Sequence, residues 1–475
     1  MNRNTTKYQL IFLLLCFWYS ATSAQIPNPT DTTDARYVTI DNIFIIGNKK
    51  TKASIILREL SVKKGMSLYY PDLMKHLDSD QDKIYNTRLF NEVKVNTLDL
   101  STDRVDIVVQ VNERWYTYPI PVFKLEDRNL NDWIKNQGAD FSRVNYGIKF
   151  TQYNLRGRNE KLKLGAQFGF TNNYFISYKI PYIDRSQKNG LEIKVGYREN
   201  KNTPYITEEH KQVFLTSEEI QFQETYSFIT YTRRSQFYNF HDVTFEYNNS
   251  KISDTLNIVN PRYFSNRETQ QQYLALRYKF TKDKRDIVAY PLKGYRIQVE
   301  LSKIGLGIHN ELDIVDFRAT HDRYLEIGKK MYFSIYTKAV VSSPNNQSYS
   351  LFPSLGKRED FVRGYELYLI EGSSYALNKL SFKRLLFKGV KKMNPFKAKQ
   401  FKSLPYALYL KTYFDTGYVD NFNEYEQNNR LTNRLIYGAG VGLDFVTFYD
   451  FVIRSEYSIN DEKESGFFFH FRKGF

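Results

Sequence analysis

From Tyr437 to Phe445 the chain alternates with a period of two. Tyr437, Ala439, Val441, Leu443 and Phe445 fall on one face, and Gly438, Gly440, Gly442 and Asp444 fall on the other. The pattern recurs nearby. Leu408, Leu410, Thr412 and Phe414 oppose Tyr409, Lys411, Tyr413 and Asp415, while Phe451, Ile453, Tyr457 and Ile459 oppose Val452, Arg454, Glu456 and Ser458. Alternation of this kind predicts strands with one apolar face. A soluble sandwich and a membrane barrel both satisfy it, since each has one apolar side. Composition fits either class: the chain has 39 Tyr and 36 Phe, and its mean hydropathy is −0.55. After the first 20 residues, no stretch approaches the ~18 apolar residues that a membrane helix needs.

The N-terminus points to one of the two. Arg3 and Lys7 precede an apolar run from Leu10 to Tyr19, and Thr22-Ser23-Ala24 supplies small residues for cleavage. This predicts an export signal over 1–24 and a short linker over 25–36. Cys16, the one cysteine, lies in that run, so the mature chain has neither a disulfide nor a thiol nucleophile. Export, the aromatic load and the chain-terminal Phe475 together favour a membrane barrel. Residues 115–475 accommodate sixteen strands, an even number as bacterial barrels require. Segment 201–220 fits a further strand but is read as part of a long loop, and the last strand puts Phe467, Phe469, Phe471 and Phe475 on one face.

Lys and Arg exceed Asp and Glu by 68 to 52, a net charge of +16. The basic residues are spread through strands and loops, which argues against nucleic acid as a partner. One cluster stands apart: Lys388 to Lys402 holds six lysines. It reads as a solvated turn, or as a turn that touches lipid phosphates or a partner. No set of residues suits catalysis. The six His show no metal spacing, and there is neither a Gly-x-Ser-x-Gly elbow nor a phosphate-binding glycine loop. We therefore expect no enzyme, no cofactor and no metal.

Residues 37–114 have a different rhythm. Tyr37 to Ile46 reads as a strand ended by Gly47-Asn48. Thr51 fits a helix N-cap before Ile55, Ile56 and Leu60, and a second helical pattern follows in Leu73, His76, Leu77 and Ile84. Val93 and Val95, then Val105, Ile107, Val109 and Val111, mark two half-buried strands. With Gly65, Leu89-Phe90-Asn91-Glu92-Val93 and Val109-Gln110-Val111-Asn112-Glu113-Arg114, this stretch resembles a POTRA (polypeptide-transport-associated) domain of order β-α-α-β-β. One such unit is expected. A free sheet edge in it would accept an extended client chain by β-augmentation.

The barrel resembles that of the BamA/TamA outer-membrane assembly superfamily. The matching residues are Asp286 with Pro291-Leu292-Lys293-Gly294, then Phe361-Val362-Arg363-Gly364-Tyr365, Phe414-Asp415-Thr416-Gly417, Gly440-Val441-Gly442-Leu443, Arg454 to Tyr457, and Phe475. The resemblance implies that the segment 342–372 folds into the lumen and that Arg363 pairs with Asp415. Family members often carry Glu on the following strand, where this chain has Leu380-Ser381-Phe382. Asp444 or Glu456 is the alternative second anchor. The implied setting is the bacterial outer membrane with the POTRA domain in the periplasm. The implied role is capture of unfolded outer-membrane or surface proteins and their insertion or export. Outer-membrane lipid and periplasmic or lipoprotein accessory subunits are further partners. A dedicated secretion pore and a plain channel are the alternatives.

Pro119 and Pro121 lie in the first barrel strand, and neither can donate to a ladder. Their spacing turns both missing donors to the same neighbour. If that neighbour is the last strand, with Phe471 and Phe475, the seam is weak and can open sideways. If it is the second strand, or if the prolines lie below the bilayer, the seam is unaffected.

Overall fold

The computed structural model describes residues 36–472, apart from 127–132, 135–137, 266, 310–311, 346, 358, 393–402, 422–427 and 448–450. The export signal, all of the linker but Arg36, Phe475, and Lys397, Lys399 and Lys402 lie outside the described residues.

The N-terminal unit contains β1 (Tyr37–Ile46), α1 (Ala53–Leu57), β2 (Ser67–Tyr69), α2 (Tyr70–Asn86), β3 (Phe90–Asp99) and β4 (Arg104–Glu113). Its sheet order is β2-β1-β4-β3. The three-residue β2 adds one short strand to the β-α-α-β-β order. Ile40, Ile56, Leu73, Leu77, Ile84 and Ile107 are fully buried between sheet and helices. Each contributes roughly 1.5–3 kcal/mol by leaving water. Thr51 is not the cap of α1: Lys52 holds that position with no side-chain cap bond. The Thr51 hydroxyl instead donates to the Glu113 carboxylate at 2.7 Å. Glu113 also accepts the Thr51 backbone N–H at 2.7 Å. The carboxylate outcompetes local capping because an ionised acceptor bonds more strongly.

Then come β5 (Thr117–Leu125), β6 (Val144–Leu155), β7 (Glu160–Gly169), β8 (Thr171–Ile180), β9 (Asn189–Asn200), β10 (Thr203–Glu208), β11 (Lys211–Leu215), β12 (Phe222–Gln236), β13 (Asn239–Ile252), α3 (Asp254–Val259), β14 (Gln270–Asp283) and β15 (Gly294–Ile304). The rest are β16 (Ile314–Gly328), β17 (Met331–Ser343), β18 (Ser354–Leu355), β19 (Ile370–Glu371), β20 (Ser374–Lys392), β21 (Ser403–Asp420), β22 (Leu435–Thr447), β23 (Phe451–Asn460) and β24 (Ser465–Arg472). Sixteen of these strands form one antiparallel sheet, with β5 at one end and β24 at the other. The segment 201–220 is more than a loop: β10 and β11 form a separate hairpin.

The sheet curls into a barrel. The hairpin between β9 and β12 meets the β21–β22 connection, where Asn428 Oδ1 accepts the His210 N–H at 3.0 Å. The alternating apolar faces point outward. Leu410, Phe414, Val441, Leu443, Tyr457 and Ile459 are each more than two-fifths exposed. The opposite face is buried, with Asp415 and Asp444 at 0%. A soluble sandwich would bury the apolar face, so the continuous exposed band identifies the lipid side of a membrane barrel.

The N-terminal unit docks on the turns at one end of the barrel. Arg234 makes a bidentate pair with Glu59, both bonds 2.7 Å. The Arg58 guanidinium lies 3.8 Å from the centre of the Tyr182 ring. Asn86 Nδ2 donates to the Asp286 carbonyl at 2.6 Å, and Asn86 Oδ1 accepts the Val288 N–H at 3.0 Å. Burial, Asp286 and Asp78 push the Asp82 carboxyl up to about 6. Burial raises Asp286 as well. An acid raised in the docked form holds its proton more tightly there, so docking strengthens as pH falls through about 6. We predict that a fluorescence distance between α2 and the β14–β15 turn shortens on acidification, and that Asp82→Asn weakens the response. A response unchanged in Asp82→Asn would contradict this.

Candidate functional site

The segment 342–372 runs from the end of β17 into the lumen and returns to β20, clipped by the β18–β19 pair. Val362 and Tyr365 are buried at 1% and 2%, packed with Leu355, Val419 and Ile436. Gly364 has a φ of 98°, in the left-handed region that glycine adopts without strain. Its carbonyl accepts from Asn460 Nδ2 at 3.0 Å. The glycine face of β22 makes room for the loop: a Cβ on Gly438 would lie 1.9 Å from the Arg363 carbonyl oxygen.

That close approach places the Arg363 side chain. Its Nε donates to Asp415 Oδ2 at 2.8 Å and its Nη2 to Oδ1 at 2.5 Å. The planar guanidinium thus meets the carboxylate edge to edge. The backbone N–H of Arg363 adds a third bond to Asp415, at 3.1 Å. Nη1 lies 3.4 Å from Glu456 Oε1, and the guanidinium carbon sits 3.8 Å from the Tyr413 ring centre. Ser381 Oγ accepts from Nη2 at 3.2 Å. Asp415 and Glu456 therefore both meet Arg363.

Asp444 is not an anchor of Arg363. It binds Lys411 at 2.8 Å, and the same ammonium lies 2.6 Å from Glu456. Lys411 is 2% exposed and so bridges two buried carboxylates. Asp444 Oδ2 also accepts the Tyr290 hydroxyl at 2.8 Å. Tyr290 belongs to the β14–β15 turn, which Asn86 of α2 holds from below. Asp286, in the same turn, accepts the Leu292 N–H at 3.1 Å. Lys411 was legible as an inward residue, but alternation gives facing and not which residues meet across the lumen. Tyr290 carried no signal, since an inserted turn has no period.

Phe361 stacks on His470 of β24, with ring centres 5.6 Å apart and an interplanar angle of 20°. The loop motif thus touches the last strand. At the other end of the sheet, Tyr153 N–H donates to the Tyr116 carbonyl and Glu126 N–H to the Arg143 carbonyl. With this register, the even-numbered residues of β5 bond β6. The odd-numbered residues turn their backbone groups away from β6, so the missing donors of Pro119 and Pro121 face the β24 side. Among the described residues no ladder joins β5 to β24. Phe471 lies at this seam, 66% exposed. Among the described residues no group of His, Cys, Asp and Glu is arranged to hold a metal.

A barrel with an arginine-pinned loop in its lumen and a docked α+β unit at one mouth defines a class of outer-membrane protein. The Omp85 superfamily domain matches residues 154–473, and a POTRA domain described as a surface antigen variable number repeat matches residues 38–114. The chain belongs to the Omp85 superfamily. This places it in the outer membrane, among proteins that assemble barrels or translocate polypeptides and act on client proteins. No curated protein sequence matches. CdiB from Escherichia coli superposes with a TM-score of 0.51 at 9% identity, covering 98% of this chain and 97% of that one, and so shares the fold. BamA from Haemophilus ducreyi lacking POTRA domains 1–3 gives a TM-score of 0.49 at 14% identity, covering 91% of this chain and 83% of that one. CdiB from Acinetobacter baumannii gives 0.49 at 12% identity, covering 91% and 73%.

Removing one partner of a buried ion pair strands the other charge, at a cost of about 3–5 kcal/mol. Arg363→Ala and Asp415→Ala should each lower the denaturant midpoint of the folded barrel by a similar amount. The double variant should be little worse than either. Independent, additive losses would contradict a shared contact.

Proposed function

We propose that this protein captures extended outer-membrane or surface polypeptides at its POTRA domain, in the periplasm, and inserts or exports them through the seam between β5 and β24. The unpaired seam carries this reading. Pro119 and Pro121 remove two donors from the β5 edge. On the other edge, Asn460 N–H donates to the Glu464 carbonyl. That register directs the even-numbered residues of β24 to β23 and leaves the backbone groups of Phe467, Phe469 and Phe471 facing outward along the seam. An edge with unmet donors and acceptors templates an incoming strand.

Capture falls to β3, the longer edge of the POTRA sheet. One of its outward donors is already occupied: Val95 N–H donates to Gln81 Oε1 at 3.2 Å. A client strand must displace that amide. Gln81→Ala frees the donor, and photo-crosslinking of clients from β3 in cells should rise severalfold. An unchanged yield would remove β3 as the capture edge.

The seam itself is tested by scanning single cysteines over 119–123 against single cysteines over 467–471. A pair that closes into a disulfide should block delivery of surface proteins, and reductant should restore it. Full delivery with the seam covalently closed would contradict lateral passage.

A further inference from the structure

The lumen wall changes character around the barrel. From Arg198 at the far end of β9 through β17, inward cations have acidic partners: Arg198 with Glu224 at 2.8 Å, Arg277 with Glu246 at 2.6 Å, and Lys279 with Asp242 at 2.9 Å. Arg296 with Asp322 at 2.5 Å continues the series. Beside the seam the balance is lost. Ile148, Leu164, Ile176, Ile193 and Val195 face lipid, each at least two-fifths exposed. By alternation Lys149, Lys161, Lys163, Lys179 and Lys194 therefore face the lumen, and each is partly exposed there.

Register sets these lysines in successive rows. Lys161 lies directly across from Lys179. Lys163 lies across from Ser177, which in turn lies across from Lys194. Lys149 lies across from Gly165, one inward position further along β7. Glu192 is the one inward acid in these rows, and it pairs with Lys179 at 3.2 Å. Among the described residues neither Lys149, Lys161 nor Lys163 forms an ion pair with a carboxylate. Lys161 lies 4.5 Å from the Tyr153 ring centre, and Lys194 4.9 Å from that of Tyr226. Like charges on adjacent strands repel, so such a wall weakens the empty barrel.

We infer that the inner wall of β6–β9 is a binding track for an acidic, extended polypeptide segment, the part of a client that passes beside the seam. The rows repeat every second residue, ~6.8 Å apart, which is also the same-face repeat of an extended chain. Carboxylates at alternate positions of such a chain would each meet a row. A single phosphate or carboxylate would meet only one. The track starts at the docked POTRA unit and adjoins β5, so it leads from the capture edge to the seam. This inference rests on the capture-and-seam reading, which the β3 crosslinking reports separately.

The test uses the full-length protein in detergent and fluorescent peptides of alternating glutamate and serine. Anisotropy should show binding that weakens with salt, and no binding of the matching glutamine–serine or lysine–serine peptides. Lys149→Gln with Lys163→Gln and Lys194→Gln should weaken binding about tenfold, from the sum of three partly exposed charge contacts. The corresponding triple arginine variant should bind within about twofold of the parent. Lys251→Gln, at the exposed end of β13, should bind as the parent does. Heat-modifiable migration establishes that each barrel is folded. Equal binding of the neutral peptide, or undiminished binding by the folded glutamine variant, would overturn the track. Displacement by inorganic phosphate as effective as by the acidic peptide at equal charge would reduce it to a single-anion site and overturn the extended-chain assignment. Should the track fail by any of these results, β3 crosslinking that persists in the glutamine variant leaves capture standing, and its loss would remove both.

Discussion

The ammonium of Lys411 between Asp444 and Glu456 is the contact on which the rest of the lumen depends. Two buried carboxylates cannot share a small volume without a cation between them. Lys411 supplies that cation from β21, and Arg363 completes the balance from the inserted loop. Asp444 in turn holds Tyr290, in the turn that α2 grips through Asn86. One cluster of charges in the last four strands therefore holds an element from each mouth of the barrel. Removing any member leaves an uncompensated charge, which is why the cluster behaves as a unit.

This arrangement gives the barrel two unlike halves. Around β20–β23 the lumen is filled, with Asp415, Asp444 and Glu456 each paired to a cation and its glycines taken up by close backbone approach. Around β5–β9 it is basic, partly exposed, and bounded by a β5 edge from which two prolines remove donors. Phe361 ties the filled side to the strand at the seam by stacking on His470 of β24. A change in the loop thus reaches the seam through one ring contact.

Much of this was legible in the sequence. The inward faces of Asp415, Asp444 and Glu456 followed from alternation, because a period of two assigns a face whatever the partner. The Arg363–Asp415 contact came from the family resemblance, and the assigned faces agreed with it. Partner choice beyond that pair was not legible. Asp444 pairs with Lys411 and not with Arg363, since the cross-strand register and the depth of the loop decide which inward residues meet. Tyr290 went unread because an inserted turn carries no period, and 201–220 allowed a strand but not the separate β10–β11 hairpin that it forms. The side of the ladder that the prolines break was undecidable from spacing and became readable from two hydrogen bonds that flank β5.

Single-channel conductance of Lys411→Met in planar bilayers tests the central claim most directly. The substitution keeps the side chain's length and removes its charge, leaving Asp444 and Glu456 without their common partner. The inserted loop and the Tyr290 turn should both loosen, and the folded variant should open long-lived conductances severalfold larger than those of the parent. A folded Lys411→Met barrel with parental conductance would contradict the view that this ammonium holds both mouths.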